Sequence, residues 1–209
     1  MPKYKLVLFD SDGTLVDSLP WFRAAFNEFA VRHGMRPVTG ADHERLRELT
    51  TGEMLRHMRV PLLKMPALLT AMRRLMAEHL REFSIFEGVA DSLARLSAHG
   101  VKLGVVSSNS RENVRGILGP VNAALISFYA CGASMLGKPS KLRAVLKAAR
   151  ISAEDAIYIG DEVRDAEAAR KVGMAYGAVA WGYHRIETLK AQNPTEVFLK
   201  PAEIGERLG

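Results

Sequence analysis

Apolar residues fall along this chain in two rhythms: short unbroken runs, and longer stretches in which they recur every three or four positions. Leu6 to Phe9 are apolar without interruption, which predicts a strand covered on both faces, and runs at 101–106, 126–130, 156–160 and 176–180 predict further strands. Helical spacing over 89–99, 111–118, 140–150 and 163–172 interleaves with them. This alternation predicts an α/β fold on a doubly wound parallel sheet, which presents ligands beyond the carboxyl ends of its strands.

Between the first strand and Val101 the pattern is largely helical, and the interval is too long for a loop. Its first helix has Ser18 as a cap, Pro20 in the first turn, Phe22, Ala25, Phe26 and Phe29 on one face, and Gly34 as a stop. Helices over about 41–49, 51–59 and 66–82 follow, broken near Pro61 and Pro66. The predicted organisation is a core formed by 1–16 and 86–209, with a helical cap inserted at 17–85.

Polar residues gather where the predicted strands end. The first strand runs into Asp10-Ser11-Asp12-Gly13-Thr14, the 101–106 strand into Ser107, Ser108 and Asn109, and the 156–160 strand into Asp161, Glu162 and Asp165. Lys138 stands just ahead of a helix predicted to begin at Pro139. Taken singly each has a plain explanation: Asp, Ser and Gly form turns, lysines lie on surfaces, and acids favour helix N-termini. Their conjunction at strand ends is what points to chemistry. Gly132 to Lys138 also match the first seven positions of a phosphate-binding P-loop, but Pro139 has no hydroxyl for a metal and no backbone N–H for phosphate, which excludes it.

With these motifs in this order the chain resembles the haloacid dehalogenase (HAD) superfamily, in its phosphatase branch and near phosphoglycolate phosphatases with a helical cap. Asp10-Ser11-Asp12-Gly13-Thr14 matches the first motif, Ser107 the hydroxyl motif, Lys138 the lysine motif, and Gly160-Asp161 with Asp165 the acidic motif; Trp181-Gly182-Tyr183 resembles the closing loop. Ser11 and Glu162 depart from the usual residues at their positions, which bears on subfamily rather than reaction. The resemblance implies a HAD-like, Rossmann-type core and Mg²⁺-dependent hydrolysis of a small phosphomonoester. Asp10 would be the nucleophile, Asp12 the acid and base, and Ser107 and Lys138 the holders of the phosphoryl oxygens. Asp10, Asp161 and the main chain of Asp12 would hold the metal, with Asp165 behind them. Thr14, Ser108 and Asn109 are expected on the phosphate, and Arg45, Thr50 and Thr51 in the cap, with Arg47, Arg56 and His57 near them, are candidates for the substrate. Clustered carboxylates supply the hard oxygens that Mg²⁺ takes, and an aspartyl-phosphate divides one hard displacement into two easier ones. A phosphomutase of the same superfamily and a non-catalytic binder of a phosphorylated ligand are the alternatives.

Composition narrows the partners. The 209 residues are 48% hydrophobic, enough for a sizeable core, and the single Cys131 excludes an internal disulfide. Net charge is +6, but the 29 basic residues are scattered, which argues against nucleic acid and leaves a field that steers anions. Arg73 and Arg74 face away from Leu68, Leu69, Met72 and Met76 and read as solvated. No apolar run approaches the roughly 18 residues of a membrane span. A strand so close to the first residue leaves no room for a signal peptide. The expectation is a cytoplasmic monomer or homodimer acting on a small phosphorylated metabolite.

Overall fold

The computed structural model describes residues 2–49, 51–60, 62–132 and 137–209, apart from the side chains of 41, 43, 44, 51 and 62. Six parallel strands form one sheet in the order β3-β2-β1-β4-β5-β6, with β1 at Leu6–Phe9, β2 at Lys102–Val106, β3 at Phe128–Ala130, β4 at Ala156–Gly160, β5 at Ala175–Val179 and β6 at Glu196–Phe198. The chain leaves β1 toward one edge and returns to build the other, so β1 and β4 flank the point where the strand order reverses. That is where doubly wound sheets bind ligands.

Strand β1 shows why its apolar run is unbroken. Side chains alternate between faces. Val7 and Phe9 pack with α5 (Val89–Ala98) and α10 (Ala202–Leu208), whereas Leu6 and Leu8 pack with α7 (Lys138–Ala149) and α8 (Val163–Val172). All four are at most 1% exposed. Truncating Leu8 to alanine inside such packing costs about 2–5 kcal/mol.

Helices α1 (Leu19–Arg32), α2 (Gly40–Leu46), α3 (Thr51–His57) and α4 (Met65–Glu78) lie between β1 and β2. Phe26, Phe29, Ala30, Met35, Val38, Met58 and Leu68 form an apolar cluster of their own there, separate from the two that cover the sheet. Asn27 pins the connection after α1, donating to the Val38 carbonyl at 2.8 Å and accepting from its N–H at 2.7 Å. The segment enters and leaves side by side: Asp17 N donates to Ser84 O at 2.9 Å, and Val16 bridges Ile85.

Several expectations change. Ser18 is in a helical conformation and makes no cap; its hydroxyl meets the Tyr183 hydroxyl at 2.8 Å instead. The helix expected over 66–82 stops at Glu78, and a separate 3-10 turn covers Leu80–Glu82. Helix α6 (Arg111–Leu125) runs past its expected end at 118, with Gly119 at φ +71° and Pro120 kinking it. Lys138 is already the first residue of α7. Strand β6, helix α9 (Ile186–Lys190) and α10 carried too few periodic positions to be foreseen, with three, five and seven residues.

Candidate active site

Asp10 continues the sheet ladder, its N–H donating to Ile159 O at 2.9 Å, and the chain then turns as the Ser11 carbonyl accepts from Leu15 and Val16, each at 2.9 Å. Asp10 is 2% exposed. Its Oδ1 accepts from the N–H of Ser11 at 2.8 Å, and its Oδ2 from the Lys138 ammonium at 2.6 Å. The same ammonium donates to Asp165, whose carboxylate also accepts from the Tyr158 hydroxyl at 3.2 Å and from Glu162 N at 3.0 Å. Asp165 is thereby both the N-terminal cap partner of α8 and the second counter-charge of Lys138.

Asp161 follows β4 and is fully buried. Its carboxylate accepts from the Thr14 hydroxyl at 2.7 Å and from Tyr183 N at 2.8 Å. Asp10, Asp161 and Asp165 each offer an oxygen within 4.8 Å of the others. Crowding shows in the proton affinities of Asp161 and Asp10. Burial, joined by the charges of Glu162, Asp10 and Asp165, holds Asp161 well above the usual carboxylate range. Asp10 is raised by burial and by Asp165 against the pull of Lys138. Burial pushes the Lys138 ammonium down, and the charges of Asp10 and Asp165 more than offset it, so its pKa is raised.

Asp12 faces the cleft, with the Asn109 amide donating to its Oδ2 at 3.2 Å. Burial, then the Asp10 charge, pushes it up to about 6. Ser107 is 1% exposed at the end of β2, two residues past Val105, which is in register with Phe9. Ser108 and Asn109 line a cavity of about 270 Å³ that also borders Asp10 and Asp12 and runs beneath α1 to α4.

The remaining candidates divide. Thr14 is buried against Asp161, with its hydroxyl directed there rather than to the cavity. Arg45 is exposed and does not line the cavity; Arg47, two residues on, does, and donates to the carbonyls of Tyr183 at 3.1 Å and Gly182 at 3.4 Å. Thr50 lies outside the described residues, and Thr51 opens α3. Arg73 is not a solvated arginine, because it donates to Ser108 O at 2.7 Å and borders the cavity. Sequence reasoning also passed over Tyr158, whose only signal was a hydroxyl in an otherwise apolar strand.

A sequence profile described as haloacid dehalogenase-like hydrolase matches residues 7–179, which takes in the motifs from Asp10 to Asp165 and ends just before the Trp181-Gly182-Tyr183 loop. The chain belongs to that family. This haloacid dehalogenase-like hydrolase is 34% identical over 199 residues to the phosphoglycolate phosphatase of Synechococcus elongatus, covering 95% of this chain and 94% of the relative. Phosphoglycolate phosphatase 1 of Pseudomonas aeruginosa is 28% identical, covering 92% and 75%. By kinship of this extent the hydrolase is a phosphatase. Among solved structures, a predicted phosphatase from Clostridium acetobutylicum superposes with a TM-score of 0.80 at 20% identity, covering 97% of each chain. CbbY from Rhodobacter sphaeroides, in complex with phosphate, does so with a TM-score of 0.71 at 24% identity, covering 97% of this chain and 96% of that one. Those two likenesses speak for the fold.

The donor set suits a hard divalent cation. Three buried carboxylates carry more negative charge than Lys138 balances, and all the donors are oxygens. Two glycines let loops close on Asp161: a Cβ at Gly13 would stand 2.2 Å from its Oδ2, and one at Gly182 would stand 2.1 Å from its Cβ. Gly13 further needs its φ of +78°.

Proposed function

We propose that this phosphatase hydrolyses a small phosphomonoester with Mg²⁺, by way of a phosphoryl group carried on Asp10. The observation that carries the reading is the buried trio of Asp10, Lys138 and Asp165 beside Asp12 at the reversal point of the sheet. A carboxylate oxygen of Asp10 attacks phosphorus while the ester P–O bond breaks, and Asp12 gives its proton to the departing alkoxide. Asp12 then takes a proton from the water that attacks the aspartyl-phosphate, the P–Oδ bond breaks, and phosphate leaves. Lys138 and Ser107 hold the equatorial oxygens, over which the transition state spreads its charge. Asp10, Asp161 and the Asp12 carbonyl would hold Mg²⁺, with Asp165 fixing Lys138 behind them; the ion supplies charge neutralisation that lets one anion approach another.

Residues 17–85 serve as a cap that limits water at the phosphoenzyme, supported by their separate apolar cluster and paired connections. The single, unpaired Cys131 suits the reducing cytoplasm, where we place the reaction. Phosphoglycolate heads the substrate panel because curated relatives carry its name. The test is phosphate release from phosphoglycolate, sugar phosphates and nucleotides by the purified protein, with Mg²⁺ and with chelator. Metal-dependent release that disappears in Asp10→Asn is expected. Release that survives in Asp10→Asn would overturn the reading, and an isomerised ester in place of free phosphate would make the enzyme a mutase.

A further inference from the structure

The cavity beside Asp10 and Asp12 has walls unlike its mouth. Six of the nine methionines in the chain line it: Met35, Met54, Met58, Met65, Met72 and Met76. Phe22, Phe26 and Phe29 add aromatic surface. Of its four arginines, Arg47 bears on the Tyr183 carbonyl and Arg73 on the Ser108 carbonyl, Arg164 pairs with Glu162, and Arg23 comes from α1. Close-packed interiors rarely keep a space of this size, and one that adjoins reacting carboxylates is binding space.

We propose that the enzyme favours phosphate esters whose organic part is apolar, an alkyl chain or aryl group of about ten heavy atoms housed among these methionines while the phosphoryl group meets Asp10. A cavity of 150 Å³ is enough to hold benzene, so about 270 Å³ holds a chain or bicyclic ring. Methionines are unbranched and polarisable, so the wall shapes itself to more than one such group. An alkyl or aryl group gains from thioethers and rings what a glycolate carboxylate does not, since the carboxylate's partners in the cavity are its arginines and His184. Phosphoglycolate leaves the apolar surface unfilled. The inference rests on the phosphatase reading above, and it names the class of ester that reading leaves open.

The test is kcat/KM in Mg²⁺ for methyl, butyl and octyl phosphate, with phosphoglycolate alongside. The rate constant is expected to rise about fourfold per added methylene until the cavity fills, placing octyl phosphate more than about a hundredfold above methyl phosphate. Leu69→Trp and Met72→Trp, both on the cavity wall, are expected to cut the octyl-to-methyl ratio at least about tenfold. A flat series, or phosphoglycolate outrunning octyl phosphate, overturns the inference and leaves the phosphatase reading standing. Absence of hydrolysis of every ester by folded, Mg²⁺-supplied protein overturns both.

Discussion

The Lys138 ammonium lies 2.6 Å from Asp10 Oδ2, and both side chains are 2% exposed. Such a pair is costly to assemble and costlier to break, because removing one partner strands the other charge out of water. Helix α7 begins at Lys138 and delivers it to the end of β1, where Asp165 takes its other side.

Lys138→Met is therefore expected to lose turnover and about 3–5 kcal/mol of stability, a fall of roughly 10 °C in Tm. The sharper readout is the response to Mg²⁺. With the ammonium gone, a divalent cation is the main counter-charge open to Asp10 and Asp165, so Mg²⁺ should raise the Tm of the variant by more than that of the wild type. Equal shifts in thermal denaturation would show that the cation does not bind at these carboxylates.

Gly182→Ala tests the other side of the site. The added Cβ would meet Asp161, whose carboxylate is already fixed by Thr14 and Tyr183, so the side chain or the loop must give way. Overpacking of this kind costs about 1–3 kcal/mol. Displacing Asp161 should also raise the Mg²⁺ concentration for half-maximal activity about tenfold. A destabilised variant with an unchanged Mg²⁺ midpoint would remove Asp161 from the metal site.

Asp10 and Asp161 could be read from the sequence because each follows an apolar run long enough to be a strand, and a strand end fixes where its next residue points. Tyr158 could not. Its place within β4 announces burial, but the donation to Asp165 and to Val106 O at 3.0 Å depends on which strands and helices pack around it. Arg73 failed for a related reason: helical spacing put it with Arg74 on the polar face of α4, where Arg74 is exposed, but Arg73 itself reaches the Ser108 carbonyl and its own carbonyl accepts from Asn113. Ser18 carried a sound capping signal and found a stronger partner in Tyr183. Arg45 and Arg47 are alike in sequence, and only the course of the chain after α2 decides which one meets the 182–183 loop.

Cys131 gives a check on burial at the edge of the site. Burial, opposed by Lys141 and supported by the Asp10 charge, raises its thiol to about 11. The thiolate is the reactive form, so at pH 8 only about 10⁻³ of the native protein is reactive, against about a quarter for a free thiol of pKa about 8.5. Alkylation by iodoacetamide should run roughly two hundredfold slower than for a free thiol and speed up about tenfold per pH unit between 8 and 10. Native labelling at the free-thiol rate would mean that the thiol is open to solvent.

Asp12 offers the most direct test of chemistry, since only one of its two jobs depends on the leaving group. Burial and then the Asp10 charge raise it to about 6, while the Asn109 amide pulls the other way. The protonated acid is the form that donates, and it prevails below that value. For an alkyl ester, whose alkoxide cannot leave unprotonated, kcat/KM should therefore fall about tenfold per unit as pH rises beyond about 6. A p-nitrophenolate leaves without help, so the burst of nitrophenol from its ester should show no such decline. Asp12→Asn keeps the shape and loses the proton. It should cost about 10² to 10⁴ on the alkyl ester, yet still release one equivalent of nitrophenol and then stall as the phosphoenzyme, with one phosphoryl group detectable on Asp10 by mass spectrometry. Equal losses on both esters, with no burst, would assign the acid to another group and leave Asp12 with a role in holding the site together.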